Sequence, residues 1–355
     1  MNHGLDLQRE KLEQSEKDWQ FGAFSAPSLV SIPEKLRKQY LPMGETQFNS
    51  KTDFGDCATR APINYAEALF TYWYQGTMLP ENKKWLEDNG YIQDGKVVLS
   101  DRFIAILSGT TRAGNSLKAP LDAIRLNGLI PKSMLPKEDW MVWVDYMDRS
   151  KITQKMLELG KEFKRRFPMN YEQVQEAFFG DLLDDEMIVV AGHAWPVPVD
   201  GVYPRVVADL NHAWLLWGIP KYQAFDNYQD TGGSFFKNLA PDYDFWEYGY
   251  RLYISAERTD IHFFAKNMFF GADDPEVAYL QKALVSLGYQ IPHAVTNYYG
   301  NETRVALAAF QKANNIADNG MNFGPRTRLA LNQALNTDIG FAASLVLIIR
   351  TFLGI

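Results

Sequence analysis

The chain has 355 residues, 46% hydrophobic and 22% charged, which is enough to bury a full core and is of two-domain size. A formal net charge of −7 argues against a general nucleic-acid or anionic-membrane binder, since either role draws its affinity from a basic surface. The single cysteine excludes an intramolecular disulfide framework and cysteine-rich zinc sites.

Residues 1–25 read as a polar, partly helical, loosely attached arm. Its opening, MNHGLDLQREKLEQSEKDW, lacks the apolar run of a signal peptide, so the expectation is a cytoplasmic protein released by lysis or packaged in a particle. Prolines at 27, 33 and 42 without clear periodicity predict a loop-rich lead-in from Phe24 to Asn49. The stretch Asp53 to Phe70, DFGDCATRAPINYAEALF, then turns into a helix: Gly55 and Asp56 punctuate a turn, and Ile63, Ala66 and Leu69 recur at helical spacing. Cys57 falls in the first turn of that helix, where the positive end of the dipole favours a thiolate. Taken alone, the same residue reads equally as a small, inert core side chain.

An Asp94/Gly95 turn, an apolar segment from Val97 to Leu99 and a helix opened by Ser100 and closed by Gly109 follow. A further helix runs from Ser116 to Leu126 and ends at Asn127 and Gly128. From Lys151 to about Phe179 the pattern predicts helix again, with Met156, Leu159, Phe163 and Phe167 inward and Lys161, Lys164, Arg165 and Arg166 solvated. After Asp181 the segments Met187–Val197, His212–Ile219, Gln223–Tyr228 and Tyr248–Ile254 are short, β-branched and aromatic, which predicts a mainly antiparallel sheet. The fold class is therefore α+β, a helical half followed by a β half, with Cys57 and His212 facing each other between them.

These residues resemble the papain-like cysteine peptidases, particularly their divergent relatives in bacteriophages, over residues 40 to 255. The resemblance is carried by Cys57 at a helix start, by SDRF at 100–103 with SGTTRAGNSLKAPLDAIRLNGLIP at 108–131, by Asn211-His212-Ala213 before an apolar strand, and by Phe225-Asp226-Asn227-Tyr228. It implies a two-lobed peptidase fold with Cys57 as nucleophile, His212 as general acid and base, and Asp226 orienting the imidazole, with Asn227 as the alternative third member. Six residues before the cysteine, where the family has its oxyanion glutamine, stands Lys51; Gln47, ten residues before it, takes that role instead. Ala58, Thr59 and Arg60 after the nucleophile also depart from the plant and lysosomal pattern. The chemistry needs these types together: a histidine to hold the thiolate and protonate the leaving amine, a partner to fix its tautomer, and donors for the oxyanion.

A rival set is His193, Asp200 and His212, with Asp209 as base, whose His-x6-Asp spacing resembles zinc-dependent wall peptidases of the D-alanyl-D-alanine type. His3, His262 and His293 have no partners in sequence. The peptidase reading calls for no cofactor and no metal.

Between Pro275 and Leu335 the motif YGNETRVAL (Tyr299–Leu307) recurs as FGPRTRLAL (Phe323–Leu331), each a glycine turn followed by a Thr-capped helix, preceded by the helix VAYLQKALVSLGY. These three helices resemble the small peptidoglycan-binding domain fused to bacterial and phage wall hydrolases. Leu280, Leu284, Leu287, Val305, Leu307, Phe310 and Leu331 are expected in its core, and exposed Asn297, Tyr298, Asn301 and Asn322 are expected to touch ligand. The resulting layout is a 1–25 arm, a 26–262 peptidase domain, a 263–337 peptidoglycan-binding-like domain and a 338–355 apolar tail. The tail, FAASLVLIIRTFLGI from Phe341, is too short to span a bilayer and is expected to dock on its own protein or on another subunit, with membrane contact as the alternative. The implied partners are peptidoglycan and a peptide substrate, not nucleic acid; the implied setting is a phage-infected host or a virion acting at the cell wall. The contrasting expectation is a virion or wall-docking protein that uses these folds as scaffold.

Overall fold

Polar side chains open the helices that the apolar pattern outlines. Asp6 accepts from the Arg9 amide at the start of Leu7–Glu13 (α1). The helix Cys57–Gln75 (α2) is followed by Pro80–Asp88 (α3), with proline in its first turn. Ser100 caps Asp101–Leu107 (α4) through the Phe103 amide. Lys118–Asn127 (α5) stops at Gly128, whose φ of 71° suits glycine. Thr153 caps Gln154–Arg166 (α6). The computed structural model describes residues 4–14, 28–193, 195–206, 209–218, 222–230, 232–255, 266–293 and 295–336. It divides into two units, Met1–Glu257 and Arg258–Ile355.

α2 is buried on every side except at Tyr72, Tyr74 and Gln75, as a helix at the centre of a domain must be. It packs on α4 and α5 and on a seven-stranded sheet. The strands are Met169–Gln175 (β1), Ile188–Gly192 (β2), Val202–Tyr203 (β3), His212–Gly218 (β4), Gln223–Phe225 (β5), Phe236–Leu239 (β6) and Tyr248–Ile254 (β7). Their order is β1-β7-β2-β4-β5-β6-β3. Only the short β3–β6 pairing is parallel. The expected α+β layout, helices first and antiparallel sheet second, is the one observed.

Several expectations for the first unit change. The helix expected through Phe179 ends at Arg166, and Met169–Gln175 becomes an edge strand paired with all of β7. Pro168 explains the break: the residue before a proline is pushed out of helical conformation, and Phe167 has φ −130° and ψ 73°. The strand expected over Met187–Val197 closes at Gly192. The N-terminal arm, over residues 4–14, is not loose. Glu10 is fully buried in α1 and accepts hydrogen bonds from the Tyr248 and Tyr250 hydroxyls and the Lys118 amide. Gly4 lies so close over Gly55 that a Cβ there would stand 2.3 Å from the Gly55 carbonyl carbon.

Among its described residues the second unit holds three helices, Pro275–Ser286 (α7), Asn301–Ala313 (α8) and Pro325–Asn336 (α9), and a pair of two-residue strands, Met268–Phe269 (β8) with Asn322–Phe323 (β9). Leu280, Leu284, Leu307, Phe310 and Leu331 form its core and Leu287 is partly buried against it. Val305 is 52% exposed instead, because α8 turns Thr303, Ala306, Leu307, Phe310 and Gln311 inward. The repeated threonines do not cap their helices. Thr303 and Thr327 accept from buried amides: Gln281 Nε2 reaches Thr303 at 2.8 Å, and Gln311 Nε2 reaches Thr327 at 2.9 Å. Each glutamine also donates to a carbonyl of the loop before the next helix, Tyr298 or Asn322, and accepts from an amide there, Thr296 or Gly320. This lock, used twice, is the physical content of the sequence repeat. Among the described residues no helix is long and apolar enough to cross a membrane; the apolar tail from Phe341 lies outside them.

Candidate active site

Cys57 is the first residue of α2, where backbone N–H groups have no intrahelical acceptor. Asp56 before it makes no capping bond. Its carboxylate turns inward to Arg60 Nε at 2.9 Å and to the Tyr146 hydroxyl. Arg60 in turn pairs with Asp101 and lies 3.8 Å from Glu45. Burial pushes the Asp56 carboxyl up, and the Arg60 guanidinium opposes that shift. The atypical neighbours of the cysteine therefore form a charged foundation beneath it.

His212 opens β4 and Asp226 directly follows β5; the pairing of Leu215 with Phe225 brings these two strand ends together. Asp226 Oδ1 accepts from His212 Nε2 at 2.8 Å. That leaves Nδ1 as the ring nitrogen for the Cys57 thiol, which interacts electrostatically with the imidazole. Burial alone would lower the histidine, but the charge and hydrogen bond of Asp226 together with the thiol outweigh it and raise His212 to about 10. Asp226 is pulled the other way: burial raises it, and His212 and then Lys237 hold it below the usual carboxylate range. Burial pushes the Cys57 thiol up, with the charged imidazole opposing. Cys57 is 1% and His212 0% exposed, so the pair is closed to solvent.

The structure brings Cys57, His212 and Asp226 into one line and gives Asn227 another task. Asn227 accepts from Asn64 Nδ2 at 3.0 Å and donates to the Glu45 carbonyl at 2.8 Å. Gln47 Nε2 donates to Asp53 Oδ1 and to the Tyr228 hydroxyl, each at 2.8 Å, while Tyr228 donates to Asp53. The Tyr228 ring stands edge-on to His212, with centroids 5.2 Å apart. A cavity of about 400 Å³ lies beside the helix, lined by Glu45, Arg60, Asn64, Glu67 and Asn227 among others, and neither Cys57 nor His212 faces it.

The rival zinc set is not assembled. His193 Nδ1 lies 3.2 Å from the Asp209 carbonyl and His212 is committed to Asp226. Among the described residues no group of three or more histidine, cysteine or acidic side chains is placed to hold a metal. In the second unit Asn297, Tyr298, Asn301 and Asn322 are all exposed.

Two residues around Asp226 escaped sequence reasoning. Trp195 donates its indole N–H to Asp226 Oδ2, and Lys237 Nζ stands 3.5 Å from the same oxygen. Trp195 belongs to a loop without motif. Lys237 had a signal: on β6 it shares the inward face with Leu239, whereas Asn238 between them points out.

Several solved structures are similar to the chain. One, from work on the mite allergens Blo t 1 and Der p 1, is 14% identical over 71% of this chain and 78% of that chain, with a TM-score of 0.43. Xylellain, a cysteine protease from Xylella fastidiosa, is 12% identical over 68% of this chain and 98% of its own, TM-score 0.41. Digestive procathepsin L 3 of the Tenebrio molitor larval midgut is 12% identical over 72% and 76%, TM-score 0.42. No curated protein matches the sequence. Residues 273–332 match the family model "Putative peptidoglycan binding domain", which places that domain over the three helices of the second unit.

Proposed function

We propose that the protein is a cysteine peptidase that hydrolyses amide bonds in the peptides of bacterial peptidoglycan, as a phage-type lysin or virion-associated wall hydrolase. The observation that carries this reading is the buried set Cys57, His212 and Asp226, with His212 held at 2.8 Å by a carboxylate and coupled electrostatically to the only sulfhydryl of the chain. Cys57 as thiolate attacks the carbonyl carbon; His212 gives its proton to the leaving amine and then takes one from the water that cleaves the thioester. Asp226 keeps the imidazole in one tautomer. The Cys57 backbone N–H supplies one oxyanion donor, worth roughly 3 kcal/mol, and Gln47 supplies the second once its amide turns from Tyr228. The domain matched at residues 273–332 supports wall peptides as substrate, because docking there raises the local concentration of the catalytic unit.

A second reading, a wall-docking or virion scaffold, is favoured by one observation: Cys57 and His212 are both closed to solvent. Purified sacculi incubated with the wild type, Cys57→Ala and His212→Ala, followed by mass analysis of released fragments, separate the two. The expected result is release by the wild type and a loss on the order of 10³-fold or more in both variants. Equal release by Cys57→Ala would sink the thiol mechanism. Pelleting on sacculi with no release by any version would make the protein a docking scaffold.

A further inference from the structure

A lysine is almost never fully buried unless paired, and Lys237 is 3% exposed. Its ammonium stands 3.5 Å from Asp226 Oδ2, donates to the Tyr228 carbonyl at 2.5 Å and lies 4.7 Å over the Trp195 ring. Two other features fix it there. The pairing of Ala224 with Lys237 sets β6 beside β5, and the Asp226 amide donates to the Phe235 carbonyl. The Trp195 N–H bonds the same outer oxygen, so both oxygens of Asp226 are engaged, one by His212 and one by this pair.

We propose that Lys237 is a positioning residue of the active site: its buried ammonium anchors the outer oxygen of Asp226 and balances that carboxylate's charge, so that His212 is oriented and made less basic than an unbalanced Asp226 would make it. The proposal rests on the peptidase reading for its consequence in catalysis. In the ion-pair state that the peptidase reading requires, the charges alternate from thiolate to imidazolium to carboxylate to ammonium, and neither Asp226 nor Lys237 takes part in bond making. The other titratable groups around this row are Tyr228 with its partner Asp53, Tyr203 and Tyr243 on the sheet side, and Asp230 near Lys237. The tyrosines are all held above their usual range by burial and stay neutral, so among the described groups of this row the positive charges are those of Lys237 and His212.

Because the chain has a single cysteine, alkylation by iodoacetamide reads Cys57 directly and needs no substrate. Removing a positive charge raises every neighbouring pKa, so Lys237→Met moves the midpoint of the alkylation-against-pH curve upward by about one unit, and both limbs of the kcat/KM profile on sacculi move the same way. Lys237→Gln keeps a donor for the Tyr228 carbonyl but not the charge, and gives the same shift. Tryptophan fluorescence confirms that each variant is folded. An unchanged midpoint in folded Lys237→Met overturns the proposal, as does a wild-type curve for Lys237→Gln, which would make the hydrogen bond rather than the charge decisive. A shifted alkylation curve in a protein that releases nothing from sacculi would retire the peptidase reading and leave the electrostatic role of Lys237 standing.

Discussion

Beneath Cys57 the first unit buries Asp56, Arg60, Asp101 and Tyr146 as one charged cluster, whereas the second unit buries Gln281 and Gln311, neutral amides that each close three hydrogen bonds. Both solve the same problem, since a buried polar group must be satisfied. They differ in what the solution is sensitive to. Buried charges respond to pH and to the loss of any partner, while a satisfied amide is indifferent to pH and loses only its own bonds. Charge lies beside the helix start that carries the Cys57 thiol, and neutral polarity fastens the helices of the second unit.

The comparison can be broken by substitution, and all nine tryptophans help, because every one of them precedes the second unit and fluorescence therefore follows the first unit alone. The largest effect is expected from Arg60→Met, which strands Asp56 and Asp101 without their shared cation. Urea unfolding of the full chain followed by fluorescence should show the first unit destabilised by about 4 kcal/mol. A loss below about 1 kcal/mol would mean that the cluster is not a connected charge network. Gln311→Leu should cost the second unit about 3 kcal/mol by leaving the Gly320 amide and Asn322 carbonyl unpaired, with the fluorescence transition unmoved and pelleting on sacculi weakened. A shift in the tryptophan transition would contradict the independence of the two solutions.

The smallest effect concerns Glu67, which burial holds at about 8 against an ordinary value of 4.5 while its carboxyl accepts from the Leu99 amide at 2.7 Å. The folded protein keeps a proton that the unfolded chain has released. The stabilisation is therefore complete below the ordinary value and is lost as pH rises towards about 8. Glu67→Gln keeps an acceptor for Leu99 and removes the titration, so the unfolding midpoint of the wild type should fall relative to the variant between about pH 5 and about pH 8. Parallel curves for the two proteins would show that Glu67 is ionised when folded.

Much of this was legible in the residues. The turn at Gly55 and Asp56 and the spacing of Ile63, Ala66 and Leu69 outlined α2, and the β-branched runs outlined β2, β4 and β7. The grouping of Cys57, His212 and Asp226 came from resemblance, since periodicity cannot bring together residues 155 positions apart along the chain from 57 to 212. Where the reading failed, a tertiary partner decided. Glu10 looked like the solvent face of a loose arm because nothing local announces the Tyr248 and Tyr250 hydroxyls that receive it. Met169–Gln175 is polar enough to extend a helical pattern, and only Pro168 argued otherwise. Val305 was assigned to the core by its chemistry, but the seats on that face belong to Thr303 and Gln311.

The glutamine lock gives the second unit a property that an ordinary three-helix core lacks. Each lock is made by one helix and read by the loop and first turn of the next, so α8 is reader of one and writer of the other. Such a unit grows by addition. A copied segment carrying one glutamine and one threonine would bring its own fastening at both ends, and the exposed loop between them would be duplicated with it, so the unit could lengthen by duplication without redesign of the core.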